Sequence, residues 1–301
     1  MKYTQTVCPI CGKKNNDILM FERNFSDRQL NAKVFSARRI PDKLHYRIVR
    51  CGNEGMVRSN PVLDAVSLSK LYSKSTLTYT RELEHLRQSY ANVLTPLLKK
   101  LRPSDKILEI GCGNGFMLEY LRKQGFRQLV GVEPSADAIR QAAPSIKSKI
   151  KHTIFRKKLF KKGSLSAVLL FQTLDHIPQP DKFLADCSFL LKKGGYVLSL
   201  HHNVESISAQ IMGEASPIID VEHTQLFSKK TSMLLFQKVG LIVEAVSSPT
   251  SLISLRHLLW LLPVPAELKK RLLAHPNLSA ILSRLTIEAK LGNVAIVGRK
   301  S

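Results

Sequence analysis

Three groups of residues in this chain have types and spacings that suit chemistry. The first is sulfur. Cys8-Pro9-Ile10-Cys11-Gly12 has the spacing of half a zinc knuckle, and Cys51 follows after about forty residues, within the loose spacing of zinc ribbons. The second is a glycine turn. Glu109-Ile110-Gly111-Cys112-Gly113-Asn114-Gly115 continues an apolar run that starts at Ile107, and it precedes a helical stretch closed by Gly125. Missing side chains there let a ligand touch the backbone, and the helix N-terminus offers free N–H groups. The third is histidine. His176, His201, His202 and His223 converge on predicted strand ends, and imidazole titrates near neutrality, so each is a candidate base.

The glycine turn excludes two ligand classes. A dinucleotide fingerprint needs Gly-x-Gly-x-x-Gly, and counting from Gly111 puts Phe116 at the third glycine. A phosphate loop needs Gly-Lys-Ser/Thr, which Asn114-Gly115-Phe116 does not supply. What remains is Glu109-x-Gly111-x-Gly113-x-Gly115, with Glu133 about 20 residues past the glycines, where nucleotide folds place a ribose-binding acid. This resembles motif I of the class I S-adenosylmethionine (SAM) methyltransferases, whose ligand carries a cationic sulfonium and no phosphate. The resemblance implies that Glu109, Gly111, Gly113, Asn114, Gly115 and Glu133 bind the cofactor. It implies the same for Phe171 and Gln172 at the end of the fourth strand. The segment 62–100 lies over the cofactor in that family, which makes Tyr79 a lining residue; Tyr72 and Tyr90 suit lining and packing equally.

Residues 1–61 resemble the N-terminal zinc ribbon of a group of small-molecule methyltransferases. There the second half reads Cys-x-x-Cys-Gly, an apolar pair, then Asn-Pro. Met56-Val57 and Asn60-Pro61 match, and Glu54 stands at the fourth cysteine. The resemblance therefore gives Cys8, Cys11, Cys51 and Glu54 as the metal set. Structural zinc prefers thiolate and imidazole to carboxylate. Three readings stay open: zinc on three thiols and Glu54, zinc completed by His45 or water, and a ribbon that has lost its metal. Sugar C-methyltransferases with such a ribbon carry a Glu-His base pair in the loop after the fifth strand. Glu222-His223 matches it, with Asp220 where they have tyrosine. Adjacent side chains cannot both enter one pocket from an extended strand, so a turn over Asp220–His223 is expected. The loop Leu174-Asp175-His176-Ile177 resembles the cofactor-facing loop after the fourth strand, which adds His176 to the catalytic candidates.

The elements that must position these groups are read from periodicity. Strands are expected at Ile107–Ile110, Gln128–Glu133, Lys151–Arg156, Ser166–Gln172, Tyr196–Leu200, Leu241–Val246 and Asn293–Gly298. Helices are expected at 82–100, 136–143, 181–191 and 229–239, the last N-capped by Ser228. The fold class is α/β: a doubly wound, mostly parallel seven-stranded sheet of the Rossmann-like methyltransferase type with a small N-terminal zinc-ribbon-like module. The divisions are 1–61 for the module and 62–104 for a helical cofactor-covering segment. Residues 105–301 form the SAM-binding domain, with a helical insertion at 247–290.

Composition bounds the partners. A hydrophobic fraction of 44% is ordinary for a globular chain, and no apolar stretch of about 20 residues reads as a membrane span. The N-terminus has no apolar run behind its charge, and five cysteines fit a reducing compartment, so a cytoplasmic location is expected. The formal charge of +23 includes an acid-free block from Lys147 to Lys162 with few aromatics beside it. The leading reading is a SAM-dependent methyltransferase acting on a small polar molecule, a saccharide or another biosynthetic intermediate, with SAM as cofactor and zinc as a structural metal. The alternative is an RNA methyltransferase with a zinc-ribbon recognition module. A third partner class is an anionic membrane surface touched through 252–271, around Trp260. The acceptor atom and the oligomeric state are left open.

Overall fold

The computed structural model describes residues 1–14, 16–32, 34–35, 43–76, 83–261, 269, 271 and 273–301, so the expectation for Tyr79 lies outside the described residues. The expected seven strands form one sheet. We label them β1 (Lys106–Ile110), β2 (Gln128–Glu133), β3 (Ile150–His152), β4 (Leu165–Phe171), β5 (Leu191–His202), β6 (Leu241–Ser247) and β7 (Asn293–Lys300). The order across the sheet is β6-β7-β5-β4-β1-β2-β3. β1 to β5 run parallel, and β7 enters antiparallel between β5 and β6. β4 is buried at every position, as an apolar strand covered on both faces must be. One face packs against the helices Leu83–Leu98 and Phe116–Lys123 through Leu86, Leu94, Met117 and Leu121. The other takes Leu184, Leu190, Leu235 and Phe236. The order reverses between β1 and β4, and open α/β sheets bind ligands at the carboxyl ends beside such a reversal.

Several elements depart from expectation for local reasons. The helix after β2 stops at Arg140, and a second one starts at Pro144, which takes its first position. Ala143 before it is extended (ψ 141°), as the proline ring demands. β3 is three residues, Ile150–His152, and not 151–156; its neighbour β2 ends its pairing where Glu133 meets His152. β5 is longer than expected, starting at Leu191 with an irregularity before Tyr196. The insertion holds the helices Leu255–Leu261 and Pro276–Arg284, and also a two-stranded ribbon in which Ser251–Ser254 pairs antiparallel with Thr286–Ala289. Leu252, Ile253 and Leu258 of the 252–271 stretch line the large cavity. No helix among the described residues is long and apolar enough to cross a membrane.

The N-terminal module builds its own four-stranded antiparallel sheet from Asp17–Phe21, Ile48–Cys51, Val57–Ser59 and Gln225–Leu226. The last strand comes from far along the chain, two residues past His223, with Gln225 opposite Arg58 and Leu226 opposite Val57. Cys8, Cys51 and Met56 share a buried cluster with Leu170, Leu174 and Phe227, so module and main sheet have a continuous core.

Candidate active site

The cysteine module folds as two matching turns. Gly12 N–H donates to the Cys8 carbonyl at 2.8 Å and Gly55 N–H to the Cys51 carbonyl at 2.8 Å. Both glycines are left-handed, at φ 74° and 75°, which side-chain-bearing residues rarely adopt. The thiols of Cys8, Cys11 and Cys51 come together, with Cys11 and Cys51 sulfurs 3.7 Å apart. Zinc–thiolate bonds of about 2.3 Å in a tetrahedron place sulfurs about 3.8 Å apart, so the donor set fits zinc. Glu54 holds Cys11's place in the second turn, but its carboxylate lies outside the group formed by the three sulfurs. His45 is not the fourth ligand: its ring nitrogens face the Tyr46 carbonyl (2.8 Å) and Glu214 (3.0 Å). Burial pushes the Cys8 thiol up to about 12. For Cys11 burial also opposes ionisation, yet hydrogen bonds from the Lys13 backbone, Cys8, Cys51 and Asn53 lower its pKa.

The glycine turn lies at the carboxyl end of β1. Gly111 stands at φ 71°, and an added Cβ would lie 2.7 Å from Thr173 Oγ1. The Glu133 carboxylate accepts from Gly113 N–H (2.9 Å) and Ser135 N–H (2.8 Å), which ties β2 to the turn. Glu109 is buried, and burial and then the charge of Glu133 push its carboxyl up to about 8. Among the described residues Gln172 is one of two non-glycine residues at positive φ (47°), a strained conformation of the kind that collects at ligand sites. Tyr90 stacks flat on Phe171, with centroids 4.8 Å apart. Among the described residues, three buried oxygens around this turn have no hydrogen-bond partner: Glu109 Oε2, Asn114 Oδ1 and Gln172 Oε1. All are acceptors, and a ligand rich in donors and positive charge would satisfy them. SAM, with its ammonium, sulfonium and ribose hydroxyls, fits that demand.

The histidines separate by strand alternation. His201 turns to the covered face of β5, between Ser199 (2.9 Å) and Ser232 (2.8 Å), and burial holds its pKa down at about 4. His202 points the other way and donates Nδ1–H to Asp175 Oδ2 at 2.8 Å. His223 stacks edge-on against both His202 (4.6 Å) and His176 (4.9 Å). Its Nδ1 donates to the Ile218 carbonyl at 3.1 Å, so the neutral ring keeps its lone pair on Nε2. His176 Nδ1 meets Tyr72 Oη at 3.2 Å. Burial lowers the pKa of His176, and that of His223 further with help from the other imidazoles. Asp175 is ionised: burial opposes it, but the His202 hydrogen bond and the surrounding imidazoles hold its carboxyl well below the usual range. The expected turn is present, with His223 N–H on the Asp220 carbonyl and Glu222 N–H on Asp220 Oδ1.

Glu109, Gly111, Gly113, Glu133, Phe171 and Gln172 line one cavity of about 700 Å3 together with His176, His202, Glu222 and His223. Asn114 and Gly115 belong to the same turn, with Gly115 at the N-cap of the helix. The Asp175–His202 pair had no sequence signal of its own. Only the alignment of β4 and β5 ends brings the two residues together, since Phe171 pairs with Leu200.

A family model described as a methyltransferase domain matches residues 83–246. The chain is 30% identical over 116 residues to the ubiquinone biosynthesis O-methyltransferase of Vibrio parahaemolyticus, covering 36% of this chain and 49% of that protein. It is 29% identical over 126 residues to the eEF1A lysine and N-terminal methyltransferase of Mus musculus, covering 37% and 18%. The chain thus spans about half the length, or less, of these curated relatives. Among solved structures it is similar in fold to the YcgJ protein of Bacillus subtilis, with a TM-score of 0.50 and 15% identity over 69% of this chain and 98% of that one.

Proposed function

This chain belongs to the family of class I SAM-dependent methyltransferases, and from that premise we propose that it methylates a small polar molecule at oxygen or carbon. One observation carries the reading: the glycine turn and the histidine cluster open into the same cavity. SAM, when bound, supplies a methyl group on positively charged sulfur. The chain's own residues hold and orient. With SAM bound, Glu109 and Glu133 would face its cationic and hydroxyl groups, the glycines would admit it to the backbone, and Phe171, Gln172 and Asn114 would bound its site.

The acceptor's proton goes to the imidazoles. His223 has an Nε2 lone pair fixed by the Ile218 carbonyl, with Glu222 beside it on the same turn. His202 is oriented by Asp175 in the way a carboxylate sets a catalytic imidazole, and His176 braces the wall through Tyr72. Bringing reactants into line and excluding water contributes several kcal/mol, and a general base adds about 10²–10⁴ in rate. We also assign a structural zinc to Cys8, Cys11 and Cys51, with Glu54 or a water as fourth ligand.

Titration calorimetry tests the reading. S-adenosylhomocysteine should bind and NAD should not, and Glu133→Ala should weaken binding by about 1–3 kcal/mol. His223→Ala should keep that affinity while turnover falls by about 10²–10⁴. NAD binding without S-adenosylhomocysteine binding would sink it. A second reading, RNA methylation, draws on the block Lys147, Lys149, Lys151, Arg156, Lys157, Lys158, Lys161 and Lys162, which is exposed throughout. It requires an RNA affinity that drops steeply with salt.

A further inference from the structure

The histidine cluster contains a group that proton transfer alone leaves unsatisfied. Asp175 is fully buried; Oδ2 accepts from His202, but Oδ1 has no hydrogen-bond partner among the described residues. The nearby His176 Nε2 stands 3.8 Å from it, beyond hydrogen-bonding range. Buried charges are normally paired or coordinate metals. The surrounding rings are arranged for the second case. His176 is held at Nδ1 by Tyr72 Oη and His223 at Nδ1 by the Ile218 carbonyl, outer contacts that fix a ring and its tautomer in metal sites. One ligand atom from each of Asp175, His176 and His223 lies within 4.8 Å of the others. Two imidazoles and one carboxylate beside an open cavity make a donor set suited to divalent first-row metals.

Resting on the methyltransferase reading, we propose that Asp175, His176 and His223 hold a divalent transition-metal ion, with its open positions facing the cavity for an oxygen of the methyl acceptor. The ion balances the buried carboxylate charge and favours ionisation of a hydroxyl bound to it. With Nε2 of His223 on the ion, His223 acts as a ligand and the base is His202: the O–H bond breaks and the proton passes to Nε2 of His202, whose Nδ1–H stays on Asp175 Oδ2. Asp175 then serves two groups, one through each oxygen. The acceptor class narrows to molecules with an oxygen that can reach the ion.

The test is a Mn²⁺ titration of the full chain, with its ribbon metal in place, followed by the electron paramagnetic resonance of free Mn²⁺. Calorimetry with S-adenosylhomocysteine is run on the same samples. Mn²⁺ is chosen because it favours oxygen and nitrogen over the ribbon thiols. Saturable binding is expected, kept in Cys11→Ser and lost in Asp175→Asn. If Asp175→Asn fails to fold, Tyr72→Phe carries the test: it removes an outer contact and should weaken Mn²⁺ about 10–100-fold. Chains that bind S-adenosylhomocysteine but show no saturable Mn²⁺ binding, or bind it equally in these two variants, would overturn the metal site and leave the methyltransferase reading standing. A folded chain that does not bind S-adenosylhomocysteine would overturn both.

Discussion

Glu109, near the end of β1, has one carboxylate oxygen unpartnered among the described residues, and its carboxyl is pushed up to about 8 by burial and by Glu133. A ligand ammonium needs that carboxylate ionised. The ionised fraction is about 1% near pH 6, about 9% near pH 7 and about 50% near pH 8, and apparent affinity scales with the competent fraction. Affinity for S-adenosylhomocysteine should therefore rise about 50-fold over those two units, about 2.3 kcal/mol. Stability of the empty chain runs the opposite way. The folded pKa lies above the 4.5 of a free glutamate, so the folded state binds more protons and this group's contribution is lost as pH climbs from 4.5 towards 8. Tighter binding at higher pH thus cannot come from a better-folded protein. Calorimetry at constant ionic strength measures the slope, and Glu109→Gln should flatten it. A wild-type change under about threefold, or the same slope in Glu109→Gln, would refute Glu109 as the group facing the ammonium.

Other perturbations separate holding roles from chemical ones. Gly111→Ala puts a Cβ 2.7 Å from Thr173 Oγ1 at φ 71° and should cost about 1–3 kcal/mol in denaturant melts while weakening cofactor binding. His201→Ala breaks its serine contacts and should lower stability by about 1–3 kcal/mol with turnover per folded molecule unchanged. His202→Ala should cut turnover per folded molecule by about 10²–10⁴ and also lower the melting temperature, because it strips the buried Asp175 carboxylate of its side-chain partner. Stripping metal with a strong chelator should lower the melting temperature, since metal-binding free energy in such modules is folding free energy. An unchanged melt, with metal content near zero in the untreated chain, would mean that packing alone holds the ribbon.

Much of the scaffold was legible because its signals are local. β1, β4 and β7 are apolar runs bounded by glycine or polar residues, and the spacing from Glu109 to Glu133 survives any detail of packing. β3 carries little sequence signal because it is an edge strand with exposed Lys151 and His152, so it lacks the apolar signature of a covered one. The helix after Glu133 is shorter than its composition suggests, because alanines favour helix up to the residue that Pro144 restrains. The site was legible as a list of residues but not as contacts. His201 and His202 are indistinguishable in sequence, and only the pleat of β5 sends one to the serines and the other to Asp175.

The fourth strand of the ribbon sheet has a consequence for how this protein can be altered. Gln225 and Leu226 complete the edge at Val57–Ser59, and Ser59 N–H donates to the Thr224 carbonyl at 3.0 Å. During synthesis that edge stays open until most of the chain has been made, and an open edge invites pairing with other chains. Cutting after residue 61 would divide a sheet rather than release a module. An engineer who grafts the Glu222–His223 loop from another enzyme must therefore bring the matching ribbon edge with it, because the two segments pair in one sheet.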